Sequence, residues 1–305
     1  MTDPHAIALE AGAARVELAP RVGGAVASFT LAGADVLRPT SAAARAAGSV
    51  VDHAAYPLVP YSNRIADASF VFAGRRHRLR VCPGARPHSL HGVGWLRPWS
   101  VRSRSATAAT LLLEHAAIGE DALEWPFPFS ATQDFVLAAT PRAATLALTL
   151  TLANRGDEPF PCGLGWHPFF PRTAATRLRF TARGRWENDA SGLPARRTLP
   201  EPGGFAAGRS FDGMALDHGF FGWTGHAELT PPQSGVGVVL TAAQRCGHLV
   251  VYAPAGAGFL AIEPVTHATD AFNRAERGEA DTGMAILQPH AEISCSMQIC
   301  ATLAA

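Results

Sequence analysis

The chain has no lysine, and all 26 of its basic residues are arginines. That absence removes Schiff-base chemistry and any lysine-dependent phosphate loop. Cysteine is scarce and odd in number. Cys82, Cys162, Cys246, Cys295 and Cys300 form no C-x-x-C pair. Neither a zinc framework nor a disulfide scaffold fits that spacing, so free thiols in a reducing compartment are expected. Charge is thin as well, at 17% of residues with a net +1, which offers no field for nucleic acid or an anionic membrane surface. No apolar run approaches the roughly 20 residues of a membrane-spanning helix. The opening M-T-D-P-H-A-I-A-L-E has no basic and apolar regions in series and no cleavage site. A cytoplasmic protein without membrane or nucleic-acid partners is the expectation, as a monomer or homodimer.

Helical periodicity is nearly absent too. Only the alanine-rich stretch 41–47 and residues 270–277 suggest a turn or two of helix. What the chain has instead is alternation. In T-L-A-L-T-L-T-L at 145–152, Leu146, Leu148, Leu150 and Leu152 fall on one face of a strand, with Thr and Ala on the other. Similar patterns predict strands at 24–31, 69–73, 77–81, 100–104, 110–115, 132–138, 177–182, 236–241, 248–253, 259–263, 284–288 and 291–302. A-G-R-R at 73–76 reads as a hairpin turn, and the nearby Arg75, Arg76, Arg78 and Arg80 as its charged face. Many short strands punctuated by 29 Gly and 23 Pro argue for a large antiparallel sandwich. The Pro/Gly segment 200–208 reads as a surface loop, no linker marks a boundary, and residues 1–305 are expected to form one domain.

Four segments carry chemistry. In Y-P-L-V-P-Y-S-N-R-I at 56–65, Asn63 and Arg64 set an amide beside a guanidinium. The pair either bridges hydroxyls of a polyhydroxylated ligand or staples a loop. R-P-H-S-L-H-G-V-G-W-L-R-P-W at 86–99 holds His88 and His91 without the further ligands of a metal site, so polar recognition by at least one of them is the better reading. In A-L-D-H-G-F-F-G-W at 215–223, Asp217 is either a ligand carboxylate or a turn former, and Trp223 or Phe220 either faces a sugar ring or packs in the core. F-L-A-I-E-P-V-T-H-A-T-D-A-F-N at 259–273 closes an apolar strand with Glu263, a costly place for a carboxylate that lacks partners or a task.

G-L-G-W-H-P-F-F at 163–170 places His167 in the same local setting, a titratable residue held extended by the proline that follows it. By itself His167 fits a hydrogen-bonded rim residue as well as a catalyst. Together with Glu263 it forms an acid and a base on two strand ends, which suffices for bifunctional proton transfer. At ordinary pKa values of about 4.3 and 6.5, the carboxylate would be ionised and the imidazole partly protonated.

Taken in order, P-L-V-P-Y-S-N-R-I, H-S-L-H-G-V-G-W, G-W-H-P-F-F, L-D-H-G-F-F-G-W and I-E-P-V-T-H-A-T-D-A-F-N resemble the motifs of the aldose 1-epimerase (galactose mutarotase) family. The resemblance implies an all-β fold, a large antiparallel β-supersandwich with very little helix. It implies a cofactor-independent and metal-free isomerase acting on a small aldose, with Glu263 as general base and His167 as general acid. Arg64, His91 and Asp217 fall on its sugar-contacting positions, and Asn63, His88 and Trp223 are added here as binding candidates. Phe169 stands where the family often has Tyr, and Trp166 is bulkier than usual, which bears on sugar preference more than on chemistry. Three other readings remain. A hexose-6-phosphate epimerase of the same superfamily would need basic residues at the cleft mouth, for which Arg97 and Arg172 are the nominees. A non-catalytic sugar-binding protein would need neither Glu263 nor His167. A glycoside hydrolase would need two carboxylates, with Glu263 and Asp217 the only pair to nominate.

Overall fold

A computed structural model describes residues 6–201, 204–211, 214–230 and 235–304. Residues 1–5 of the N-terminal segment and residues 202–203 of the expected 200–208 loop lie outside them. The leucine alternation governs the largest sheet. Leu146, Leu148, Leu150 and Leu152 sit on strand Ala143–Asn154 and are at most 2% exposed. They are opposed by Leu137, Phe135, Gln133 and Ala131 on one side and by Ile299, Met297, Cys295 and Ile293 on the other. Directly opposed side chains share a face of the sheet, so these rows form one apolar surface. Each fully buried leucine there contributes about 1.5–3 kcal/mol.

That sheet has nine strands, running across from Ser100–Arg104 through Ala108–His115, Phe129–Ala139, Ala143–Asn154, Glu292–Leu303, Val236–Ala242, His226–Thr230 and Arg177–Phe180 to Arg209–Ser210. The second large sheet runs from Pro194–Thr198 through Gly184–Asn188, Leu216–Phe221, His248–Ala253 and Phe259–Val265 to Gly165–Trp166 and Pro57–Leu58. Phe169–Pro171 pairs with its Phe259–Val265 strand. One apolar core unites the two, with Leu148 and Met297 from the first packed in the same cluster as Leu249, Ile262 and Phe220 from the second. A four-stranded meander, Ile7–Ala11, Ala14–Ala19, Ala25–Leu31 and Ala34–Asp35, completes the frame. The fold is therefore an antiparallel β-sandwich. Among the described residues it has two short α-helices, Ala42–Ala47 and Ala271–Glu276. The first is capped by Ser41 Oγ, which accepts from the Ala44 N–H at 3.1 Å, and ends on Gly48 at φ 61°. No helix among the described residues is long and apolar enough to cross a membrane.

Three local expectations change. The strand expected at 77–81 lies at Arg75–Arg78, because the turn at Ala73–Gly74 pairs Phe72 with Arg75. Leu216–Phe221, expected to be a turn, is a strand that pairs along its full length with His248–Ala253. Strand Phe259–Val265 runs through Pro264 instead of stopping at Glu263, with Leu249 opposite the proline and His248 opposite Val265.

Candidate active site

Strand register assembles the site. Glu263 opposes Val250, and Ala261 opposes Tyr252 on one side and Phe169 on the other. Tyr252 in turn opposes Asp217. Opposed residues and those two apart along a strand share a face, so Glu263, Tyr252, Asp217 and Phe169 all look the same way. His167 sits two residues before Phe169, and its N–H donates to the Tyr56 carbonyl at 3.0 Å. These side chains line a cleft of about 430 Å³, with Asn63, Arg64 and His91 on its wall. That size suits a small-molecule site.

At its floor, His167 Nε2 lies 3.2 Å from Glu263 Oε1. The two residues are 7% and 2% exposed. His167 Nδ1 and Glu263 Oε2 are buried and have no hydrogen-bond partner among the described residues. Leaving such groups unmade costs about 1–3 kcal/mol each, which a fold tolerates where the groups have a task. The Tyr56 ring stacks on His167 with centroids 4.8 Å apart, and Phe169 lies 4.4 Å away. Burial in these apolar walls holds the Glu263 carboxyl well above its usual range, and Asp217 pushes the same way against Arg64. Burial also drives His167 well below the usual imidazole value, helped by His91 and Arg38. The ordinary pKa values assumed from sequence therefore do not apply. Both shifts favour the neutral forms, a carboxylic acid beside a neutral imidazole, over an ion pair.

The wall is built by backbone clamps. Asn63 and His91 both adopt left-handed conformations, φ 57° and 59°. The Asn63 N–H donates to His91 Nδ1 at 3.0 Å, and burial lowers His91 to about 3. His91 is thus neutral with its proton on Nε2, a fixed donor. Asn63 Oδ1 accepts from the Arg64 backbone N–H at 2.9 Å and from Arg64 Nη1 at 3.3 Å, turning the guanidinium along the wall. Two of the expected contacts lie elsewhere. His88 does not line the cleft, since its Nδ1 accepts the Asp67 N–H at 3.0 Å and holds a turn. Trp223 is 5% exposed in the core and donates to the His226 carbonyl at 3.0 Å, while Phe220 packs there as well.

Sequence reasoning missed several residues here. Tyr56 and Tyr252 line the cleft, and so do Arg38 and Asp52. His267 and Asp270 lie just behind it, in a segment whose motif was recognised without roles for either. His267 Nε2 accepts the Ser62 N–H at 3.1 Å, and its Nδ1–H donates to the Ala268 carbonyl at 2.7 Å. A side chain at Gly163 would run into that ring, which explains the glycine. The Asp270 N–H donates to the Arg64 carbonyl at 2.9 Å, and Asp270 Oδ1 accepts from Ala66 N–H at 3.0 Å. The chain segments bearing Glu263 and Arg64 are thereby locked together. Among the described residues, no group of three His, Cys, Asp or Glu side chains is disposed to hold a metal ion.

A family model for aldose 1-epimerases matches residues 5–300. YphB of Escherichia coli K12, itself uncharacterised, is 31% identical over 266 residues, which span 84% of this chain and 87% of that protein. A solved E. coli K12 structure, described provisionally as an aldose 1-epimerase, superposes with a TM-score of 0.86 at 26% identity and covers 98% of this chain and 99% of its own. The same fold is shared by a galactose mutarotase-like protein of Clostridium acetobutylicum, with TM-score 0.84, 18% identity and coverage of 98% and 95%. It is shared too by a galactose 1-epimerase of Lactobacillus acidophilus, with TM-score 0.77, 15% identity and coverage of 98% and 95%. The matched stretch takes in every strand that lines the cleft, and the chain belongs to the aldose 1-epimerase family.

Proposed function

We propose that this protein interconverts the α and β anomers of a free aldose by acid/base-catalysed ring opening and closure. The observation that carries the reading is the buried contact of 3.2 Å between His167 Nε2 and Glu263 Oε1 on the floor of a sugar-sized cleft. The two oxygens that exchange protons in this reaction, the anomeric hydroxyl and the ring oxygen, are bonded to the same carbon. An acid and a base that touch in the empty cleft are spaced to reach both.

In the productive complex the proton first passes from the Glu263 carboxyl to His167 across their 3.2 Å contact. Glu263 then takes the anomeric hydroxyl proton while His167 gives its proton to the ring oxygen. The C1–O5 bond breaks and an open-chain aldehyde forms. Glu263 is then a carboxylic acid and His167 a neutral imidazole, the arrangement that burial favours. The desolvation cost of forming the ion pair is recovered as ring opening discharges it. Rotation about C1–C2 turns the other carbonyl face toward the ring hydroxyl. His167 retrieves that proton as the ring recloses, and Glu263 returns its own to the new anomeric oxygen. Positioned acid and base groups of this kind supply about 10²–10⁴-fold in rate. In this reading His91 Nε2–H, Arg64 and Asp217 hold the remaining hydroxyls.

A phosphorylated sugar is less well supported. Arg97 is occupied by Asp121 and Glu124, and Arg172 by the carbonyls of Ala257 and Pro254. Neither lines the cleft. The direct test dissolves a pure anomer of each common free aldose and follows its exchange by polarimetry or NMR. With at least one sugar the rate should rise in proportion to enzyme above the buffer rate. Exchange at the buffer rate for all of them, with sugar binding retained, would leave a binding protein instead.

A further inference from the structure

The cleft carries an arginine and an aspartate at each of its two ends. Arg64 and Asp217 act on Glu263. Arg38 lies beyond His167, with its guanidinium 3.8 Å above the Phe169 ring and 4.6 Å from that of Phe259. Its backbone N–H is tied to the Phe169 carbonyl at 2.8 Å. Arg38 Nη2 donates to the carbonyls of Val51 at 2.9 Å and His53 at 2.8 Å, the two residues that flank Asp52. Arginine and aspartate are therefore presented side by side on one rim of the cleft. Ser49 Oγ–H donates to Asp52 Oδ2 at 2.6 Å, which fixes the carboxylate and leaves Oδ1 open. Among the described residues, Arg38 Nη2 bonds to these backbone carbonyls while its Nε is buried without a partner.

These positions bear on substrate through the orientation proposed above, and the inference rests on that reading. With the anomeric oxygen at Glu263 and the ring oxygen at His167, the next ring atom past the ring oxygen is C5. Its exocyclic group then projects beyond His167 toward Arg38 and Asp52. We propose that Arg38 and Asp52 form a subsite for the hydroxymethyl group on C5, so that the protein selects neutral aldohexoses. A hydroxyl is both donor and acceptor, and the subsite offers one of each. Arg38 N–H donates to O6, and Asp52 Oδ1 accepts its proton. A pentose leaves both charged groups unanswered, and a hexuronate sets its carboxylate against Asp52. Discrimination arises from the unmet partner as much as from the made bond.

The test measures kcat/KM for anomer exchange in two matched series at pH 7. One is D-galactose, L-arabinose and D-galacturonate, and the other D-glucose, D-xylose and D-glucuronate. Within each series the ring configuration is constant and only the C5 group changes. The wild-type protein should favour the hexose over its pentose by about tenfold or more, the effect of one hydrogen bond to a charged group. It should also favour the hexose over the uronate. Arg38→Gln should bring the hexose/pentose ratio toward one. Asp52→Asn, a change on an exposed turn that keeps the bond from Ser49, should raise the uronate relative to the hexose by about tenfold. The subsite is overturned if the wild-type protein treats hexose and pentose alike, if it prefers the uronate, or if both variants keep wild-type ratios within twofold. Exchange without C5 preference removes the subsite alone. No exchange with any of the six sugars removes the mechanism and the subsite with it.

Discussion

The two large sheets share one core and follow opposite rules. In the nine-stranded sheet, alternation is strict, and the rows through Leu146, Leu148, Leu150 and Leu152 meet almost only apolar partners. The cleft side of the eight-stranded sheet has short strands, prolines within its strand residues, and buried polar groups including His167, Glu263, His248 and, just beyond the strand end, His267. One sheet holds the molecule together. The other accepts poorly solvated polar groups, which cost stability and which the proposed reaction puts to use.

Acid should break the second layer first, and this is the largest expected effect. Burial lowers His91 to about 3 and both His248 and His267 to about 4. In the unfolded chain each titrates near 6.5. Below that value the unfolded chain binds protons that the folded one refuses, so their contribution is intact above pH 6.5 and is lost as pH falls toward 4. The steepest part of the slope is about 4 kcal/mol per pH unit for the three together. Urea unfolding followed from pH 7 to pH 5 measures it, and His248→Asn should flatten the curve by about a third. A stability unchanged across that range would remove the account of these histidines.

The scaffold should break by cavity formation alone. Leu150→Ala is expected to cost about 2–5 kcal/mol, read as a lower urea midpoint, with anomer exchange per folded molecule retained. Loss of exchange in the folded fraction would show that the two layers are not separable in this way. Glu263→Gln should do the reverse. Because the raised carboxyl pKa makes the folded protein hold a proton the unfolded chain releases, Glu263 costs stability as pH rises above 4.5. The variant should therefore melt at or above the wild-type temperature at pH 8. A smaller effect belongs to Asp270, whose carboxylate positions the Arg64 segment. Asp270→Ala should raise KM about tenfold while changing kcat less, in line with one lost bond to a charged group. A fall in apparent kcat with KM unchanged would assign Asp270 to folding alone.

The same contrast decides what was legible in the sequence. The scaffold strands announced themselves, since a strand with one buried face must alternate, and 145–152 and 291–302 do. Ile7–Ala11 and Ala14–Ala19 carry the same signal more weakly, Ile7 with Leu9 and Val16 with Leu18, diluted by Glu10, Arg15 and Glu17. The cleft strands were harder. Leu216–Phe221 looked like a turn because glycine and aspartate favour turns locally, and tertiary pairing with His248–Ala253 overrode that preference. Glu263 and His167 could be found from local chemistry because each precedes a proline at a strand that ought to be apolar. Arg38 and Asp52 could not. Nothing near either marks it, and only the backbone path that brings Val51 and His53 to the Arg38 guanidinium makes them neighbours of His167. His88 and Trp223 erred in the other direction, since motif membership does not say which face of the motif meets the cleft.

In the proposed reaction the buried pair of Glu263 and His167 transfers the protons of anomer exchange. That role is tested most directly by NMR exchange spectroscopy on an equilibrated aldose with wild-type protein, Glu263→Gln and His167→Asn at equal folded concentration. Each substitution should lower the enzyme-dependent rate by about 10²–10⁴-fold while the variants remain folded. Either variant exchanging anomers at the wild-type rate would contradict the account.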